Sequence, residues 1–463
     1  MYIIAYAPDD QFLQNELVRL AQHTPKFRQL HDLLQAVCAD ARVQLALRHD
    51  LAPNPFCRKK GAPALPANVT VGLAVVRRIM NWSYRTVMHE MHMHFVQEVN
   101  VSAGWRWVCQ LYLRPMPNFR TIQNREAQLK PRTLQLFNTV VVQLGRELGV
   151  TTAQKLRVDG SVTETNIHYP TDSGLLDDSA RVLSRLVKQA RAMVQPRTRA
   201  DKAWFRDRHR QAHRLARDIA RLTNKKAKNT GKSSLKLYGQ LLTLVETLVD
   251  QVAQIRPHLA ALGNFAASGV QEMFEQYLPL VQKVIAQTRQ RVVKGVSVAA
   301  QNKVVSLFEP HTAIIVRGKA KPKDTEFGRK LWYSEVDGGL ISEYRILTGN
   351  PDEAPYLIPS LQHHRAIFGR PPKQVSGDRR IHSADNERAA RTLGVRRISL
   401  PKSGYKTPRR RRYEKQPWYR AAQRFRNGIE GRISQLRRAP FGSVSESWGG
   451  RHRTVGWLGR NRQ

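Results

Sequence analysis

Three acidic residues sit where an acid is out of keeping with its neighbours. Asp159 interrupts KLRVDGSVTETNI (155–167), a stretch that alternates and is rich in Val, Thr and Ile, and Gly160 follows it. Asp378 follows Gly377 in PPKQVSGD, where a short strand should end. Glu430 lies in QRFRNGIEGRISQLRR, whose other charged residues are all cationic. Two or three convergent carboxylates offer oxygen ligands to Mg²⁺ at about 2.0–2.1 Å. A pair of such ions activates a water or sugar hydroxyl and stabilises the leaving oxygen in a phosphodiester displacement. Each acid alone has a plainer reading. A lone Asp after a strand is usually a turn former or a helix cap. A lone Glu among arginines is usually a surface ion pair worth about 0–1 kcal/mol. Order and context are what single out the set.

Other motifs carry less. HEMHMH (89–94) resembles a zinc-protease helix, but that pattern needs His where Met93 stands. A solvated or partly buried histidine cluster is the expectation for His89 and His92. NTGKSS (229–234) lacks the first glycine of a phosphate loop, which would fall at Lys226, so Gly231 is expected in an ordinary loop. Trp82, Trp105 and Trp107 are expected to pack in a core rather than stack on bases. Glu164, His168 and Asp172 follow Asp159 closely enough to support it, and helix capping accounts for Asp172 equally well. Arg409, Arg410, Arg411 and Arg412 form a basic run expected in a DNA-facing loop.

The elements that must position the three acids follow from the hydrophobic period. Residues 1–60 and 69–113 read as helical, with a linker expected at Pro53, Pro55, Gly61, Pro63 and Pro66. Pro115 and Pro117 stop the second stretch, and 119–149 reads as a helical pair. Residues 1–150 are therefore expected to be an all-α N-terminal domain. Residues 151–173 hold the first strand of an α/β core. Residues 174–305 read as a basic helical insertion. The remainder, 306–463, returns to strands: HTAIIVRG, then a hairpin that reverses at Asp337-Gly338-Gly339. Short helices at 363–369 and 386–395 alternate with strands at 371–378 and 396–402, and 417–438 reads as the last helix. An α/β layer with a mixed sheet is the expected fold class.

Composition points to a polyanionic partner. The 463 residues hold 77 Lys plus Arg and 36 Asp plus Glu, a formal charge of +41. Hydrophobic residues make up 41%, enough to bury a sizeable core. Residues 400–463 carry 17 basic and three acidic residues. Cys38, Cys57 and Cys109 are odd in number and make no C-x-x-C pair, so a disulfide framework and a Cys-based zinc site lack support. The N-terminal segment MYIIAYAPDDQFLQ has no signal-peptide pattern, and no apolar run approaches ~18 residues, so no membrane span is expected. The expectation is a cytoplasmic protein in a reducing compartment.

Over about residues 69–458 the chain resembles DDE transposases of bacterial insertion sequences. The resemblance rests on RVDGSVTETNIHYPTDSGLL around Asp159, FGRKLWYSEVDGGLI and GNPDEAPYL in the hairpin region, VSGDRRIHSADNERAARTLGV around Asp378, and RFRNGIEGRISQLRR around Glu430. In that family the last helix carries Tyr, two residues, Arg, three residues, Glu, six residues, Lys. Arg426, Glu430 and Arg437 fit those offsets with Arg in place of Lys, while Gln423 stands at the Tyr position. Offsets of four and seven put the three residues on one helical face. The resemblance implies an RNase H-like catalytic core in which Asp159, Asp378 and Glu430 bind two Mg²⁺ ions, with Mn²⁺ as a substitute. It implies DNA-phosphate contacts from Arg426 and Arg437, and a nucleoid-associated homodimer acting on double-stranded DNA. It also implies that NVTVGLAVVRRIMNWSYRTV with PMPNFRTI assists end recognition or dimerisation. The alternative is a decayed or domesticated relative that binds DNA without cleaving it.

Overall fold

The structure is a computed structural model that describes residues 15, 19, 25–52, 64–92, 99–112, 114–194, 207–224, 230–316, 325–438, 444–445 and 456–457. The expected linker residues Pro53 to Pro63, and Met93, lie outside the described residues. The chain divides into two compact units. The first comprises 1–164, 330–347 and 351–463, and the second comprises 165–329 and 348–350.

The first unit begins with helices. In α1 (Pro25–Ala39) the residues Phe27, His31, Leu34 and Val37 recur every three or four positions and form its buried stripe. Asp40 then caps α2 (Ala41–Leu51), accepting from the Arg42 and Val43 backbone N–H groups. Helix α3 (Ala67–Met80) is buried along its first seven residues and stops at Asn81, which takes the left-handed conformation. Helices α4 (Tyr84–Glu90), α5 (Val99–Val108), α6 (Phe119–Gln128) and α7 (Pro131–Glu147) complete the group. Trp107 is buried, and Trp105 meets Phe27 and Trp82 edge-on, so these tryptophans belong to the core.

The same unit holds the sheet that carries the acids. Its order is β4 (Ile341–Leu347), β3 (Thr325–Val336, of which 330–336 belong to this unit), β1 (Lys155–Glu164), β5 (Gln374–Ser376) and β6 (Arg397–Ser399). Strands β1, β5 and β6 run parallel, with Lys155 opposite Gln374 and Gln374 opposite Arg397. Strands β3 and β4 are antiparallel, with a register shift at Ser334/Glu335. Their reversal at Asp337-Gly338-Gly339 puts both glycines at positive φ, which a side chain resists. Around this mixed sheet lie α12 (Leu357–Phe368), α13 (Ala384–Thr392), α14 (Pro408–Lys415) and α15 (Pro417–Arg438). Ile429 and Ile433 of α15 are packed with Leu331 and Tyr333 of β3.

The arginine run is helical, which corrects the expected loop. Thr407 accepts from the Arg410 N–H and Pro408 opens α14, a cap-then-proline start that suits a helix.

The second unit is mainly helical: α8 (Asp172–Val194), α9 (His209–Asn224), α10 (Thr230–Ala261) and α11 (Phe265–Thr288). Its core is a continuous apolar cluster that includes Leu176, Leu183, Leu241, Leu248, Phe274 and Val281. Gly231 lies in the first turn of α10, not in the expected loop. Strand β2 (Ala313–Val316) pairs antiparallel with the first residues of β3, Ala313 opposite Gly328. Among the described residues, no helix is long and apolar enough to cross a membrane.

Candidate metal centre

Alternation along β1 separates two kinds of chemistry. Leu156 and Val158 enter the apolar core with Val375 and Ile398. Arg157 and Asp159, two residues apart, share the opposite face and reach α15. Asp159 is 7% exposed. Its Oδ2 accepts from Arg426 Nη2 at 3.1 Å and its Oδ1 from the Gly160 N–H at 2.9 Å. The other arm of the same guanidinium, Arg426 Nη1, donates to Glu430 Oε1 at 3.0 Å. Asp159 and Glu430 are thus joined through one cation. The Glu430 side chain is 66% exposed.

Asp378 follows β5 and caps a short 3₁₀ turn, accepting from the Arg379 N–H at 2.6 Å. Burial pushes the Asp159 carboxyl up to about 6 against the pull of Arg426, and the negative charges of Glu353 and Asp378 add to the rise. Asp159 is therefore linked to Glu430 through Arg426 and feels the charge of Asp378.

Sequence reasoning missed two sets of residues here. Glu353, within GNPDEAPYL, is buried beside Asp159, and its Oε1 lies 3.1 Å from Lys330 Nζ, which also donates to the Pro351 carbonyl at 2.7 Å. A β-carbon on residue 160 would collide with the Glu353 carboxylate, so Gly160 leaves room for a further acid at the site. The second set is a buried clamp. Arg157 Nε donates to Glu335 Oε2 at 2.9 Å and Nη2 to Oε1 at 2.5 Å, while Nη1 donates to the Phe425 carbonyl. A β-carbon on residue 428 would strike this guanidinium, so Gly428 lets α15 approach it. Arg157 fastens α15 to β1 and β3 two residues from Asp159. A cation between Leu156 and Val158 of an alternating strand was the available signal. Glu353 lies in an aperiodic stretch that gave none.

The expected DNA-binding arginines separate into different roles. Arg426 spends its guanidinium on two carboxylates, and its side chain is only 14% exposed. Arg410 is committed to the fold: Nε donates to Glu414 Oε1 at 2.8 Å, Nη1 to Glu387 Oε1 at 2.6 Å and Nη2 to the Leu400 carbonyl at 2.5 Å. Arg409, Arg411 and Arg412 are exposed. Arg437 lies in α15, with its side chain outside the described residues. Gln423, at the family's Tyr position, donates Nε2 to the Ser399 carbonyl at 2.9 Å and to its hydroxyl at 2.8 Å, holding α15 on β6. In the second unit, Asp172 starts α8 and its carboxylate lies 3.0 Å from Arg291 Nη1.

Asp159, Asp378, Glu430 and the nearby Glu353 offer only hard carboxylate oxygens, and among the described residues no three of them bring a ligand atom each within 4.8 Å of one another. Arg426 supplies the cation that bridges Asp159 and Glu430. No protein-family model, curated protein or solved structure matches the chain.

Proposed function

We propose that the chain is a DDE transposase with an RNase H-like core, cleaving DNA at element ends and joining the freed 3′ hydroxyl to target DNA. The observation that carries this reading is that Arg426 joins Asp159 to Glu430, while Asp378, also far away in sequence, adds its charge to the surroundings of Asp159. A mixed sheet, antiparallel on the β3–β4 side of β1 and parallel on the β5–β6 side, supports it. Two Mg²⁺ ions held by these carboxylates would activate the attacking water or hydroxyl and stabilise the leaving oxygen.

The remaining parts of the site have separable tasks. Asp159 must be ionised to act as a ligand. Arg426 holds the carboxylate oxygens that would bind the ions, and a guanidinium freed from them would be placed to meet a DNA phosphate. Lys330 offsets the charge of Glu353. The Arg157–Glu335 pair holds α15, and with it Glu430, against the sheet. Exposed Arg409, Arg411 and Arg412, with the net charge of +41, attract the phosphate backbone.

The test is nicking of a supercoiled plasmid that carries the genomic flanks of the coding sequence. Cleavage should require Mg²⁺ or Mn²⁺, stop with chelator, and disappear in Asp378→Asn. Tight DNA binding with no metal-dependent cleavage would instead favour a binding protein.

A further inference from the structure

We propose that Asp177, His209 and His213 form a separate site for a zinc-type transition-metal ion, tying α8 to α9 inside the second unit. The three residues offer one ligand atom each, and these atoms all lie within 4.8 Å of one another. His209 and His213 stand four apart at the start of α9, which places both imidazoles on one helical face. Asp177, in the second turn of α8, faces them. Its Oδ2 lies 2.8 Å from His213 Nδ1 and its Oδ1 lies 3.8 Å from His209 Nε2.

A hydrogen-bonded His–Asp pair on the surface is the plain alternative, and it accounts for only half of the arrangement. Asp177 Oδ1 is buried without a hydrogen-bond partner. At 3.8 Å, His209 is too far away to supply one. An ion between the three side chains would satisfy that oxygen and use the second imidazole. Tetrahedral zinc with bonds of about 2.0–2.1 Å needs ligand atoms roughly 3.3 Å apart. The 2.8 and 3.8 Å distances run to different oxygens of the Asp177 carboxylate, so side-chain rotation must draw one oxygen and both imidazoles from within 4.8 Å of one another to that spacing.

Ligand chemistry separates this site from the carboxylate cluster. Two imidazole nitrogens with one carboxylate suit zinc and its neighbours, whereas Mg²⁺ seeks oxygen. Three protein ligands leave a fourth position. It has space, because the same residues line a cavity of about 660 Å³ with His168, Tyr169 and Arg181. The proposal is independent of transposition.

The experiment uses the full chain carrying Asp159→Asn, Asp378→Asn and Glu430→Gln, so that the carboxylate cluster cannot supply the signal. It is loaded with Zn²⁺, desalted and analysed for metal by plasma mass spectrometry, and in parallel titrated with Co²⁺ in the visible range. One Zn²⁺ per chain and the visible bands of a four-coordinate Co²⁺ site are expected. Replacing both His209 and His213 with Ala should weaken Zn²⁺ binding by at least about tenfold. Asp177→Asn keeps size and a hydrogen bond to His213, and should lose the metal with an unchanged far-UV spectrum. Substoichiometric zinc in the parent chain, or zinc retained after both histidines are replaced, would overturn the proposal.

Discussion

Asp159 and Asp337 are two acids of one sheet with opposite surroundings. Asp337, at the turn after β3, accepts from the Thr152 N–H at 2.8 Å, the Thr152 hydroxyl at 2.6 Å and the Lys155 N–H at 3.0 Å. Burial pulls its carboxyl upward, but these hydrogen bonds prevail and hold it below the ordinary carboxylate range. Asp159 has one backbone donor and one guanidinium, with Glu353 and Asp378 adding negative charge nearby, and burial lifts it to about 6. Donors aimed at a carboxylate make it a fastening. Carboxylates gathered around a carboxylate raise the cost of its charge, and Arg426 offsets only part of it. Such a shifted group in a cluster of acids marks a functional site more than a structural one.

The largest expected effect lies on the Asp159 side. Asp378→Asn and Glu430→Gln should each reduce Mg²⁺-dependent cleavage below detection, while DNA binding, read by gel shift, is kept or tightened. The double variant should be no worse than either single one, because the ions are lost as a unit. Full cleavage by either single variant would remove that acid from the site.

Next comes the clamp. Arg157→Ala leaves Glu335, which is 0% exposed, with only Arg432, whose Nε lies 3.5 Å from Oε1, and should cost about 3 kcal/mol in denaturant unfolding. A loss under about 1 kcal/mol would mean that the apolar stripe of α15 and its Gln423 and Arg426 contacts hold it without the clamp.

Asp337→Asn should cost about 1–3 kcal/mol, because it weakens three hydrogen bonds to a charged acceptor. The sign with pH is fixed by the lowered carboxyl. The stability from Asp337 is present above its unfolded value of 3.8 and is lost as pH falls through the lower folded value. Unfolding curves of wild type and Asp337→Asn should therefore converge in acid. A constant gap across the acid range would assign the loss to packing.

The smallest effect concerns the arginine run. Deleting 401–415 would also remove Arg410 and Tyr413, whose hydroxyl donates to the Ile398 carbonyl at 2.9 Å. Substituting Arg409, Arg411 and Arg412 with Ala leaves those contacts. If all three touch phosphates, the log–log salt slope of duplex DNA binding should flatten by up to about three. An unchanged slope would turn this helix face away from DNA.

Much of the frame was legible in the sequence. The helical period marked α8, α10 and α11, whose buried positions are mostly apolar, and Asp-Gly-Gly marked the hairpin. The three acids stood out because each broke a local pattern. Arg410 was not, since its partners Glu387 and Glu414 come from other turns and elements, and nothing in four consecutive arginines says which one is captured. Thr407-Pro408 did carry a helix-start signal, but the charge run outweighed it. Glu353 and Glu335 were hidden for a different reason. Their meaning depends on which strand lies beside them, and single-chain periodicity does not carry pairing.

Thermal unfolding of wild type, Asp159→Asn and Asp337→Asn, with and without Mg²⁺ at about pH 8, sets the two acids side by side. Because the Asp159 carboxyl is raised, its contribution is most favourable below 3.8 and declines as pH rises through about 6. The climb from 3.8 to about 6 corresponds to on the order of 3 kcal/mol, an upper bound because Arg426 loses a partner in the variant. Without metal, Asp159→Asn should melt at or above wild type and Asp337→Asn below it. With Mg²⁺, wild type and Asp337→Asn should gain stability and Asp159→Asn should not. A Mg²⁺ gain that survives Asp159→Asn, or a metal-free Asp159→Asn that melts well below wild type, would contradict a cation site at Asp159.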